Sequence, residues 1–148
     1  MYEIKVENLQ ELREAFKKAP EITDKELQRA TKDAGKFILA TEKTEVPVKT
    51  GQLRRSITLD YRPISVSIYP TVKYALPVHE GSGPHTIAPR SKSVLRFKKG
   101  GKIIFAKRVM HPGNKPNKFV ERTVIQSENP VNAFFSKALD NIINFLAK

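Results

Sequence analysis

Ile57-Thr58-Leu59-Asp60-Tyr61-Arg62-Pro63-Ile64-Ser65-Val66-Ser67-Ile68 decides the fold class, because here the hydrophobic period changes from 3.6 to two. Ile57, Leu59 and Tyr61 share one face, and Ile64, Val66 and Ile68 share one face of the next run, with Ser65 and Ser67 outward. Arg62-Pro63 separates the runs and Pro70-Thr71 closes the second, so the stretch reads as paired antiparallel strands.

Before this stretch the pattern is helical. Met1-Tyr2-Glu3-Ile4-Lys5-Val6-Glu7 is a short strand-like start, and Asn8 caps a helix with Leu9, Leu12 and Phe16 on one face, which Pro20 is expected to end. Thr23 and Glu26 then form a capping box for a longer helix through Leu27, Ala30, Ala34, Phe37, Ile38 and Thr41 to about Thr44. Gly35 inside it disfavours helix by about 1 kcal/mol against alanine, which suggests close approach of another backbone element. Val46-Pro47-Val48 closes the helix. The segment Lys49–Ser56 reads as a turn entering a strand.

After the paired strands, Val72–Val78 is a third candidate strand that Pro77 confines to an edge or bulge. A long loop, Glu80–Ser93, leads to the hairpin Val94-Leu95-Arg96-Phe97, Lys98–Lys102, Ile103–Ala106, with Gly100 and Gly101 in its tip. Met110–Asn117 is again a loop, and Pro116 or Asn117 opens a short helix over Phe119, Val120 and Val124. Asn129-Pro130 starts a last helix whose stripe runs Val131, Phe134, Phe135, Ala138, Leu139, Ile142, Ile143 and Leu146. The stripe is read as core, with a subunit contact as the sharper alternative. The order predicts a single α+β domain over residues 1–148: helical to 48, strands and long loops over 49–114, helical from 115, with an antiparallel sheet and hairpins packed against the long N-terminal and C-terminal helices.

With no cysteine among 148 residues, disulfides and thiolate chemistry are excluded. The N-terminus lacks the apolar run of a signal peptide, and no segment approaches the roughly 18 apolar residues of a membrane span, so a soluble, unexported chain with no membrane partner is expected. The net charge of +12 is uneven: residues 1–48 carry 9 Lys/Arg and 10 Asp/Glu, residues 49–122 carry 16 and 3, and residues 123–148 carry 2 and 2. Such a middle region suits an acidic protein surface or a polyanion, set against a merely solubilising face.

Chemistry is sought in the middle, where all three histidines lie. His79, Glu80, His85 and His111 are weak metal candidates: the spacing matches no helical ligand pair, and adjacent His and Glu on a strand point to opposite faces. Ser82 and Ser91 lack a nucleophile elbow, and Glu80 stands alone between Asp60 and Glu121, so paired-carboxylate catalysis lacks its groups. Gly81-Ser82-Gly83-Pro84 puts proline where a phosphate-cradling N–H is needed. No enzyme activity, metal or cofactor is expected. A sequence-independent nucleic-acid surface is the alternative function, with Arg54, Arg55, Arg90, Lys92, Arg96, Lys107 and Arg108 on a basic face and Lys73, Lys98, Lys99 and Lys102 beside them.

Motifs in series carry a resemblance. Val46-Pro47-Val48-Lys49-Thr50-Gly51-Gln52-Leu53-Arg54-Arg55-Ser56-Ile57 is similar to a P-V-x-T-G-x-L-R-x-S-I motif. Tyr74-Ala75-Leu76-Pro77-Val78-His79-Glu80-Gly81 resembles Y-A-x-x-V-E-x-G, with His79 inserted before the glutamate. Ile87-Ala88-Pro89, Leu95-Arg96-Phe97, Phe105–Val109 and His111-Pro112-Gly113 with Pro116–Val120 follow in order. Together they resemble the small head–tail joining, or tail-completion, proteins of long-tailed bacteriophages, the gene-product-ten-like family, from about Thr23 to Val124.

The resemblance implies a non-catalytic structural protein of the virion neck, made in the bacterial host cytoplasm. It would form a homo-oligomeric ring between the head connector or head-closure protein and the tail terminator or tail tube, and would be a monomer or a ring when free. The implied protein contacts are Tyr74, His79, Glu80, Gly81, His85, Pro89, Lys98, Lys99, Lys102, His111, Pro112 and Phe119, with His111-Pro112-Gly113 a rigid turn placing the Phe119 helix. The basic face would meet DNA or an acidic neighbour.

Overall fold

A computed structural model of the protein describes residues 9–147. The strand-like start and the Asn8 cap lie outside the described residues. The chain forms two compact units: Lys73–Lys118 is one, and the segments before and after it make the other. The architecture is α+β, with long N-terminal and C-terminal helices and antiparallel hairpins.

The first unit is built on two helices. α1 spans Leu9–Glu45 and α4 spans Phe119–Leu146. Both pass through a proline where the sequence suggested a break, Pro20 in α1 and Pro130 in α4. A helix-interior proline removes one hydrogen bond and costs ~3 kcal/mol or more, yet here the apolar rows on its two sides are in phase. Leu12, Phe16, Ala19, Thr23, Leu27, Ala30 and Ala34 follow one another at three or four residues. A single helix therefore keeps the whole row on one face, and Phe16 and Gln126, the residues four before each proline, are exposed, so water can take their freed carbonyls.

Glu45 with Arg122, Phe37 with Phe134 and Glu26 with Asn141 fix α1 and α4 as antiparallel. The seam is made of small residues that let the backbones approach: Ala30, Thr31 and Ala34 on α1, Thr123, Ser127 and Ala138 on α4, all buried. Among the described residues Phe119 is the one large side chain that is fully buried, at 1 % exposure. One end is tied by Arg122, whose Nε and Nη2 donate to the Glu45 carboxylate and carbonyl at 2.7 and 3.1 Å. These bonds, Arg122 first and then Gln126, hold the Glu45 carboxyl below its ordinary pKa.

Lys49–Ser56 is not a turn into a strand. Gly51 takes φ 74° and opens a short helix, α2, Gln52–Ser56, which buries Leu53. β1 (Ile57–Arg62) and β2 (Ser65–Pro70) then pair antiparallel, with Leu59 opposite Ile68 and Tyr61 opposite Val66. Ile64 belongs to the turn and is 71 % exposed rather than sharing the inner face. Gly35 of α1 meets this ribbon: a Cβ there would lie 2.8 Å from Val66 Cγ2, so the close neighbour is a side chain of β2 where its place in the helix suggested a backbone.

The second unit holds two ribbons and a short helix. The expected third strand is instead α3, Ala75–Glu80. Pro77 sits in its first turn, where no helical N–H is missed. The long loop contains β3, His85–Ile87, and the later loop begins with β6, Val109–His111; the two pair antiparallel. β4 (Leu95–Lys99) and β5 (Lys102–Ala106) form the expected hairpin, with Gly100 and Gly101 at positive φ. Among the described residues the strands thus form three separate two-stranded ribbons.

Candidate contact site

Lys73–Lys118 carries 11 Lys/Arg and one acidic residue, Glu80. Nearly all of the chain's excess charge is therefore in this unit. Glu80 is committed within it: Lys118 Nζ donates to Oε2 and His79 Nδ1 to Oε1, each at 2.7 Å. Lys118 first and His79 second hold the Glu80 carboxyl below its ordinary pKa of 4.5. A depressed folded pKa contributes stability that is fully present above the unfolded value and fades as pH falls from there through the folded one. The protection of α3 amides, measured against their intrinsic exchange at each pH, is accordingly expected to fall below about pH 4.5 in the native protein and to show no such step in Glu80→Gln; an identical acid response in the variant would refute the assignment.

The loops are held by a clasp at the base of the unit. Ser82 and Asn114 exchange backbone hydrogen bonds of 3.0 Å in both directions, and the Ser82 hydroxyl donates to Asn114 Oδ1. Asn114 Nδ2 donates to the Pro77 carbonyl at 2.8 Å, and the Asn117 amide reaches the Val78 and His79 carbonyls at 3.1 Å. Gly81 (φ 81°) and Gly113 (φ 85°) stand directly before the two clasp residues, where a Cβ would strike backbone across the clasp.

His85 and His111 lie opposite each other on β3 and β6, ring centroids 5.1 Å apart. His85 Nδ1 donates to the Gly83 carbonyl and His111 Nδ1 accepts from the Gly113 amide, both at 3.0 Å. The neutral tautomers are thereby opposite: His85 keeps its free lone pair on Nε2, whereas His111 carries its proton there. The two rings serve neighbouring turns at one end of the ribbon, Gly83 before β3 and Gly113 after β6, and do not present matched lone pairs to one ion.

An open apolar groove of about 430 Å³ runs between the ribbons, lined by Ile87, Leu95, Phe97, Val109 and Met110 and edged by Arg96, Lys99, His111 and Pro112. Met110 is 69 % exposed, and on the far face of the β4–β5 hairpin Phe105 is 62 % exposed beside Arg96. Apolar side chains rimmed by cations suit a partner surface that is apolar with an acidic border.

Within the unit the structure brings together His79 with Glu80, His85 with His111 and Pro112, and Lys98, Lys99 and Lys102 around the hairpin tip. Tyr74 occupies the N-cap position of α3, and Pro89, Arg90, Lys92, Lys107 and Arg108 lie in the links between strands. Arg54 and Arg55 belong to α2 of the first unit, and Phe119 is buried there. Of the clasp residues, Ser82 was weighed from sequence only as a nucleophile, and Asn114 was given no role. Their signal is the repeated glycine-then-polar step, Gly81-Ser82 and Gly113-Asn114.

Among the described residues no helix is long and apolar enough to cross a membrane. No curated protein and no solved structure matches the chain. The family described as "Bacteriophage HK97-gp10, putative tail-component" matches residues 10–93, from the first turn of α1 to the link before β4. That is more than half of the 148 residues, and it covers the Pro47–Ile57 and Tyr74–Gly81 motifs. Tail components of this kind are structural and not catalytic, and the chain belongs to the HK97-gp10-like family of bacteriophage tail components.

Proposed function

We propose that the protein joins head to tail in the virion neck by protein–protein contacts, as a ring between the head connector or head-closure protein and the tail terminator or tail tube. The family match over residues 10–93 carries this reading. The second unit supports it: a clasped base presents a groove and a hairpin that are at once apolar and strongly basic, the composition of a contact surface for an acidic neighbour. The protein is made in the host cytoplasm and acts once heads and tails are complete.

The test is joining itself. Phage lacking the protein should give filled heads and finished tails that electron microscopy shows unjoined, and purified protein added to that lysate should restore infectious particles. Joined particles in its absence would end the proposal. Lys98, Lys99 and Lys102 changed together to glutamate should abolish restoration while leaving the circular dichroism unchanged, because reversal at the hairpin tip repels an acidic partner. Joining at native efficiency by this variant would remove the hairpin from the contact.

A further inference from the structure

We infer that the first unit carries the two halves of a subunit joint: the N-terminal turns of α1 in one copy dock into a groove on α4 of the next. This deepens the neck reading and rests on its ring.

α1 is longer than its partner helix. Glu26 faces Asn141, and α4 ends five residues later at Leu146, so α1 residues before about 21 run beyond the end of α4. Residues 9–20 form an arm of roughly 18 Å, at 1.5 Å per residue. Leu12 and Phe16 are 44 % and 58 % exposed on one face of this arm. A short helix standing free is marginal in water and gains most of its stability by packing an apolar face. Among the described residues this apolar face of the arm has no packing partner.

A groove elsewhere on the same unit supplies one. About 410 Å³ in volume, it is lined by Ile38 of α1 and by Val124, Ser127, Glu128, Val131 and Asn132 of α4. Val124 is 62 % exposed, and the buried Ser127 hydroxyl has no hydrogen-bond partner. Glu128 is the only charged residue lining the groove. Arg13 is three residues before Phe16 and so borders the Leu12–Phe16 face on the Phe16 side, where an arm seated in the groove brings its cation towards Glu128 as its apolar side chains meet Val124 and Val131.

The occupant is a second copy. α1 is one unbroken helix whose arm points away from the groove in its own chain, so the arm cannot fold back into it. Arm and groove are different surfaces, which makes the joint heterologous: each copy offers an arm to one neighbour and a groove to the other, and such contacts close into a ring when the rotation permits.

Sedimentation velocity on the full chain tests this. Wild-type protein should associate with rising concentration, and Phe16→Asp and Val124→Asp, both at sites exposed in the single copy, should each remain monomeric, weakened about 30-fold or more as expected for an interface anchor. Mixing the two variants leaves one intact joint and should yield dimers that grow no further. Arg13→Glu and Glu128→Arg should each weaken association and restore it when combined, which keeps the test open if an aspartate variant misfolds. Wild-type protein that stays monomeric overturns the joint, as does association that survives the arm variant or the groove variant alone. Either result leaves the neck reading to its own joining assay.

Discussion

Phe119→Ala should lower the free energy of unfolding by about 3–5 kcal/mol, read as a fall in the urea midpoint with an unchanged slope. Among the described residues Phe119 is the one large side chain at 1 % exposure, while Ala30, Thr31, Ala34, Thr123, Ser127 and Ala138 are the small buried residues of α1 and α4. Small residues allow close approach but bury little apolar area each, so the seam has few side chains able to close a void left at 119. A domain of this size is held by only about 5–15 kcal/mol, so the loss is a large share of the total. Phe135→Ala, at a site 37 % exposed, is the comparison and should cost far less. Equal losses at the two positions would mean that Phe119 does not anchor the helix pair.

The helices were legible in the sequence as periodicity and illegible as boundaries. Pro20 and Pro130 look like stops when read locally, but a stop is decided by whether the apolar row continues in phase beyond it. Extended through Pro20, the row Phe16, Ala19, Thr23, Leu27 has no break. Pro77 misled in the opposite sense: taken as an edge-strand residue, it sits in the first turn of a helix, where its ring is compatible with the backbone. The β1–β2 and β4–β5 hairpins were readable because their partners are near in sequence and their turns carry proline or glycine. β3 and β6 were not, since three-residue strands more than 20 positions apart leave no periodic trace.

For the contact unit, charge and histidine positions were legible and the relations among them were not. His85 and His111 stood out separately, yet that they face each other is a matter of register between strands that sequence did not disclose. Charge alone also left the partner open between DNA and an acidic protein. The family match and the apolar floor beneath the lysines and arginines favour the protein.

Gly113→Ala should destabilise the contact unit by about 3 kcal/mol, the sum of left-handed backbone strain and the loss of the clasp's hydrogen bonds. At φ 85° a side chain is strained wherever it points, and here the added Cβ overlaps the Ser82 carbonyl oxygen and lies 2.8 and 2.9 Å from the Gly83 carbonyl carbon and oxygen. These are backbone atoms and cannot rotate aside, so the Ser82–Asn114 pair must open. Other glycines provide a graded control. Gly100→Ala meets no atom within 4 Å and keeps only the strain of φ 58°, about 1 kcal/mol, whereas Gly83→Ala has open space and no positive φ and should be neutral. Amide exchange at Ser82, Asn114 and Asn117, the donors of the clasp, should accelerate in Gly113→Ala alone, with α1 and α4 protected as before. If the three substitutions behave alike, the clasp is not what holds the loops. If only Gly113→Ala releases them and head–tail joining fails with it, the partner is recognising a preset loop geometry, since every basic and apolar side chain of the surface is still present.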